Sequence, residues 1–176
     1  MPHWRPRKQQ RRELVARLDG FLDALARVDG DFGQHFMGAR LFNLRGESIE
    51  SALAAVLRKN GSQLDVFSPR HPWTDVERFI RSECLRQPFG DASLTENPAI
   101  ETLKRDLAFR ATDVISFLAI DYAPKSAYCV EWIDPRAARC TGYVIEYDRD
   151  ALLISVIDWL PPSERTHVPA RQESSE

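Results

Sequence analysis

A chain of 176 residues with 43% hydrophobic and 28% charged side chains is long enough for one domain with a sizeable core, and its composition excludes wholesale disorder. A formal net charge of -2 gives no general attraction for nucleic acid or an anionic membrane. No apolar run approaches the ~20 residues that span a bilayer, and the basic opening Met1–Arg7 has no apolar core behind it, so a spanning helix and a secretory signal are both unexpected and the cytoplasm is the default compartment.

Residues 1–12 hold Arg5, Arg7, Lys8, Arg11 and Arg12 with no acid among them. A nucleic-acid arm would need a second basic surface to continue onto, so the cluster reads as a solvated helix start. It opposes the helix macrodipole, which favours acids at an N-terminus, and so points to a docked acidic partner or a preceding element. From Pro6 to Val28 the residues Leu14, Leu18, Phe21, Leu22, Leu25 and Val28 fall at helical spacing, with Asp29-Gly30 as the stop. Residues 31–47 read as an irregular segment whose aromatics, Phe32, Phe36 and Phe42, plug the underside of that helix. His35 lies between apolar residues and reads as a core or rim histidine, because no second ligand sits at helical spacing from it.

Ser48 is placed as an N-cap for a second helix with the stripe Ile49, Ala52, Leu53, Val56 and Leu57, ending at Asn60-Gly61. Leu64–Phe67 is a short strand that Ser68-Pro69-Arg70-His71-Pro72 breaks. Thr74 and Glu77 form a capping box for a third helix that buries Val76, Phe79, Ile80 and Cys84. Residues 87–98 read as an exposed loop. Residues 99–121 fit either a helix, through Leu103, Leu107, Ala111, Val114 and Leu118, or in part a buried strand. The length of the periodic segment favours the helix. After Pro124 the pattern alternates: 127–133 and 141–147 make an antiparallel hairpin around a loop at 134–139, and Leu152–Trp159 is a third strand stopped by Pro161-Pro162. The expected architecture is therefore α+β, about four helices packed on a three- to four-stranded mostly antiparallel sheet, with one domain over 1–162 and a polar tail over 163–176.

The chain carries no nucleophile elbow, no zinc-binding helix signature, no phosphate loop and no dinucleotide-binding glycine pattern. His71 with Asp75, near Trp73, is the best general-base pair. Glu146 and Asp148 could share a divalent cation, but two carboxylates make a weak site, and a solvated strand face explains them. Cys84, Cys129 and Cys140 lack zinc spacing. Cys129 and Cys140 could meet across the hairpin, although buried reduced thiols suit a cytoplasmic chain better. No catalytic residue, metal or cofactor is expected.

From Asp113 to Asp158 eight acids face four bases, and Tyr128, Trp132, Tyr143, Tyr147 and Trp159 are interleaved with them. Carboxylates beside Trp and Tyr suit docking of a basic protein, while strand alternation alone would send the aromatics to the core and the acids to water. On the docking reading the contacts are Glu131, Trp132, Asp134, Tyr147, Asp148 and Asp150.

The stretch His3-Trp4-Arg5-Pro6-Arg7, followed by Arg17-Leu18-Asp19-Gly20-Phe21-Leu22 and Leu25-Ala26-Arg27-Val28-Asp29-Gly30-Asp31-Phe32, resembles the opening of a family of bacterial polymorphic-toxin immunity proteins. Phe36-Met37-Gly38 stands where that family places a turn, and Tyr122-Ala123-Pro124-Lys125-Ser126-Ala127-Tyr128 resembles its later passage from helix to strand. The resemblance covers about the first sixty residues and about forty near the C-terminus, and leaves 62–100 unmatched. It implies a cytosolic, non-enzymatic protein that binds and neutralises a co-encoded toxin. The alternatives are an enzyme using His71 and Asp75, or a nucleic-acid module using the basic N-terminus.

Overall fold

The structure is a computed structural model that describes residues 7–29, 34–71, 75–79, 97–122 and 124–164. In chain order the elements are α1 (Arg7–Asp29), β1 (His35–Asn43), α2 (Ile49–Lys59), β2 (Gln63–His71), a helical stretch α3 at 75–79, α4 (Pro98–Tyr122), β3 (Ser126–Ile133), β4 (Ala137–Glu146) and β5 (Asp150–Trp159). The class is α+β. The strands form one antiparallel sheet in the order β1-β5-β4-β3-β2, so a central meander is flanked by the two strands from the first half of the chain. Among the described residues no helix is long and apolar enough to cross a membrane.

The sheet is covered unequally on its two faces. On one face α1 contributes Leu18, Leu22 and Leu25, α3 contributes Val76, and α4 contributes Ala111, Ile115 and Leu118. They pack against Met37, Ala39, Ile145, Leu152, Ile154 and Val156 from the strands. On the other face, α2 is the one helix among the described residues, and it lays Ala52, Leu53 and Leu57 over Val130, Trp132, Cys140, Val144, Ala151 and Leu153. Burial on both faces explains why β5 is a near-continuous apolar run, buried from Ala151 to Val156.

Local sequence chemistry accounts for the ends of α2. Ser48 has extended backbone and its hydroxyl accepts from the Ser51 amide at 3.2 Å, the capping interaction expected of a Ser at that position. Gly61 follows with φ +80°, a left-handed conformation that costs glycine nothing. At the start of α4 the Asn97 side-chain oxygen accepts from the Ala99 amide at 3.0 Å.

Four expectations need correction. Residues 35–43, read as irregular, form edge strand β1, paired to β5 from His35↔Asp158 to Asn43↔Asp150. Three consecutive buried residues, Met37, Gly38 and Ala39, hide its alternation. Residues 68–71 do not break β2. The strand runs on through Pro69 with register shifts on either side of Val66 and Phe67, because an edge strand needs no outward N–H from a proline. The loop at 134–139 is shorter than expected, since β4 already begins at Ala137. The sheet has five strands instead of three or four.

The cysteine geometry is also settled for the hairpin. Cys129 lies opposite Tyr143 and Cys140 opposite Ile157, and both thiols are free. The expected third-helix residues Thr74, Ile80 and Cys84, and nearly all of the 87–98 loop, lie outside the described residues, as do Phe32, His3 and His167.

Candidate functional site

Unequal coverage leaves a groove. A five-stranded sheet is about 19 Å across between its outer strands, at about 4.8 Å per neighbour, and one helix covers about 10 Å of it. α2 follows the end of β1 and leads into the start of β2, and beside it, among the described residues, lie hollows lined in part by β1 and β5. The main hollow there has a volume of about 660 Å³. A second of about 330 Å³ continues along the other end of α2, with Arg40, Val56 and Asn60 lining both.

The floor of the groove is built from small residues. Gly38 and Ser155 are register partners, and Ser155 is paired on its other side with Gly142. The Phe36 ring lies back over Gly38, its Cζ 2.7 Å from where a Cβ would stand. Phe36 is 38% exposed, so it flanks the groove and does not plug the underside of α1, as expected from its neighbours in sequence. Phe42 likewise joins the cluster beneath α2. Trp132, Ile157 and Trp159 supply the remaining apolar wall.

One end of the groove is held by a polar knot. Asp134, 3% exposed in its side chain, accepts from Ser62 Oγ at 2.9 Å, Arg136 N at 2.9 Å, Arg136 Nε at 2.9 Å and Arg136 Nη2 at 2.8 Å. The hydrogen bonds from Arg136 hold the Asp134 carboxyl below the usual carboxylate range, against its burial. The same guanidinium donates to the carbonyl of Asn60 at the end of α2, at 3.3 Å, and lies 5.6 Å over the Trp159 ring. A two-residue interaction in the β3–β4 turn therefore fixes the distance between α2 and the end of β5.

A second, more polar cleft of about 630 Å³ lies beside the β4–β5 turn. Arg11 of α1 enters it between the rings of Tyr122 and Tyr147, 5.6 and 4.7 Å from their centroids, and pairs with Asp150. Tyr147 is 2% exposed, and burial raises its phenol well above the usual range. Its hydroxyl, Arg11 Nε and Asp150 Oδ1 are buried without a hydrogen-bond partner. This cluster joins α1, α4 and the sheet.

The six residues singled out from the sequence do not share one surface. Trp132 and Asp134 line the groove beside α2, both nearly buried, at 6% and 5%. Tyr147, Asp148 and Asp150 line the polar cleft at the other end of β4, about 30 Å away by the rise of a ten-residue strand. Glu131 is exposed on β3. Only Glu131 and Asp148 stand mostly in water, and Asp148 pairs with Lys125 at 3.1 Å.

The other candidates are dispersed as well. Glu146 accepts from the Tyr128 hydroxyl at 3.1 Å, and Asp148 is directed to Lys125, so the two carboxylates serve different partners. Among the described residues no group of three or more His, Cys, Asp or Glu is placed to hold a metal ion. His35 is a rim residue: its Nδ1 is 2.6 Å from Asp158 Oδ1, and Asp158 Oδ2 accepts from Arg139 Nε at 2.9 Å. Of the His71–Asp75 pair, the His71 side chain and Trp73 lie outside the described residues.

Of the groove residues, sequence reasoning passed over Arg40 and Ile157, gave Phe36 to the underside of the first helix, and named Trp159 among the interleaved aromatics without placing it among the contacts. Their common signal is that β5 is apolar on both faces and so demands cover on both, while among the described residues one helix, α2, covers the second face. No protein-family model, curated protein or solved structure matches this chain.

Proposed function

We propose that this chain is a non-enzymatic immunity protein that acts in the cytoplasm, binding a co-encoded bacterial toxin and neutralising it by covering its active site or substrate surface. The observation that carries the reading is the groove beside α2. It is open at the surface and aromatic on its walls, and its most buried carboxylate, Asp134, is spent on Ser62 and Arg136. Polar groups committed to internal bonds suit a surface that recognises by shape better than one that turns over a substrate. The opening resemblance points the same way.

The test is co-expression with the product of the neighbouring gene, with and without this chain, followed by purification through a tag on this chain. Toxicity relieved together with recovery of a stoichiometric complex supports the reading. A non-toxic neighbour, or toxicity that this chain leaves unchanged, removes it.

A further inference from the structure

We infer that the outer face of α4 is a self-association surface, on which a second copy of this chain docks antiparallel about a two-fold axis at Phe109. The inference is independent of the immunity reading.

Exposure is the first argument. α4 has apolar residues on two sides. Its inner side sends Ala108, Ala111, Val114, Ile115 and Leu118 into the core. Its outer side carries Leu103, Phe109 and Phe117, which are 46%, 68% and 49% exposed. Isolated apolar side chains at a surface are ordinary, but these three share one helix and fall within about a third of its circumference at 3.6 residues per turn. Half of the large apolar side chains that stand exposed among the described residues are on this helix, so the exposure is concentrated there. Phe is a weaker helix former than Leu, Lys or Glu, so local propensity does not account for Phe109 and Phe117.

Charge is the second argument, and it selects the occupant. The same face holds Arg105, Asp106, Arg110 and Asp113, all exposed. The signs cancel, so the face has no net charge to draw a strongly acidic or basic partner. Asp106 and Arg110 are paired within the helix at 2.8 Å. Arg105 and Asp113 have no side-chain partner among the described residues. They flank Phe109, one helical turn before it and one after. A two-fold axis at Phe109 reverses the second helix, so residue 105 of each copy stands opposite residue 113 of the other. Both unpaired charges then meet their opposites, twice, and Phe109 meets its own counterpart. The same operation brings Phe117 of one copy beside Leu103 of the other, because the two lie at similar distances on either side of the axis and on one flank of the helix. A parallel, in-register pairing would set each charge against its like. Self-complementarity of this kind is what an isologous contact requires. The contact is one helix deep on each side, short of the about 1,200–2,000 Å² of a standard interface, so the dimer is weak and concentration-dependent.

The experiment is sedimentation velocity of the purified full chain from about 1 to about 200 µM, a range that covers weak protein association. The variants are Phe109→Ala, Arg105→Glu, Asp113→Arg and the double variant Arg105→Glu/Asp113→Arg. All three positions are exposed, and circular dichroism checks that each variant is folded. The wild-type chain should dimerise with a dissociation constant in the micromolar range. Phe109→Ala should weaken the dimer at least about tenfold. Each single reversal should weaken it at least about threefold, and the double variant, which exchanges the two charges, should return to within about threefold of wild type.

A chain that stays monomeric at about 200 µM overturns the inference, as does a dimer that Phe109→Ala leaves unchanged. A double variant that associates no more tightly than the single reversals overturns the antiparallel pairing, and with it the two-fold axis at Phe109. The co-expression test of the immunity reading stands apart from all of these outcomes.

Discussion

Asp134→Ala is expected to destabilise the protein by about 2–4 kcal/mol. The carboxylate accepts four hydrogen bonds, one from Ser62, itself 6% exposed, and three from Arg136. Hydrogen bonds to a charged group contribute about 1.5–3 kcal/mol, and a buried donor left without its acceptor costs about 1–3 kcal/mol. Loss of a fully buried ion-pair partner costs about 3–5 kcal/mol. Arg136 is 47% exposed in its side chain, so water takes over part of its share and the total falls below that range. For a chain of this size the corresponding fall in melting temperature is about 5–15 °C.

Asp134→Asn keeps the shape and the acceptor for Ser62 but removes the charge, and should lose about half as much. The acid side of the stability curve separates the two effects. Arg136 and its hydrogen bonds hold the folded carboxyl below the usual range, so the native state favours the ionised form. That contribution is complete above the unfolded carboxyl pKa of about 3.9 and is lost as pH falls through the lower folded value. The stability difference between wild type and Asp134→Asn, from urea denaturation, should be flat from about pH 5 upward and shrink below about pH 4. A loss under 1 kcal/mol in Asp134→Ala, or the same difference at pH 3 as at pH 7, would refute this account of the knot.

Four further outcomes follow from particular contacts. A Cβ at Gly142 would lie 2.2 Å from the Ile154 carbonyl oxygen, so Gly142→Ala should cost about 3 kcal/mol or more or prevent folding. Gly20 in α1 is exposed with no heavy atom within 4 Å of such a Cβ, so Gly20→Ala should gain about 0.5–1 kcal/mol in the same denaturation assay. Burial, with Asp134 nearby, pushes the Cys140 thiol up to about 11. Mass spectrometry after iodoacetamide treatment at pH 7.5 should therefore find Cys140 alkylated only in denatured protein; rapid labelling of the native state would contradict the burial. Asp19→Ala leaves the Ala39 amide on the β1 edge without its carboxylate, and should cost about 0.5–1.5 kcal/mol and increase aggregation on heating, read by light scattering.

Elements whose periodicity is local were legible in the sequence. The first helix shows itself through Leu18, Leu22 and Leu25, the start of α2 through Ser48, and β4 through the alternation around Tyr143 and Ile145. The strand at 35–43 was not, because Gly38 and Ala39 carry no β signal and the segment is held by pairing with β5, more than a hundred residues away. Pro69 marked a break in sequence terms, and only its place on an outer strand makes it harmless. The groove could not be read at all. Phe36 and Trp159 come together at one hollow through the β1–β5 pairing, on the face where α2 is the one helix among the described residues. Nor could burial of Trp132 and Tyr147 be told from alternation, since both faces of this sheet are covered.

The strand order also imposes a timetable. His35 pairs with Asp158, and every bond of the β1–β5 ladder joins residues from opposite ends of the sequence. During synthesis α1 and β1 leave the ribosome with no strand to join. The strand that receives β1, β5, is made last, at about 5–20 residues per second and so several seconds later. Until then Met37, Leu41 and the apolar side of α1 are available to anything that binds exposed hydrophobic segments. A nascent chain stopped before Asp150 carries α1 to α4 and can pair β2, β3 and β4, but β1 and the helix ahead of it have no strand to join them to that partial sheet.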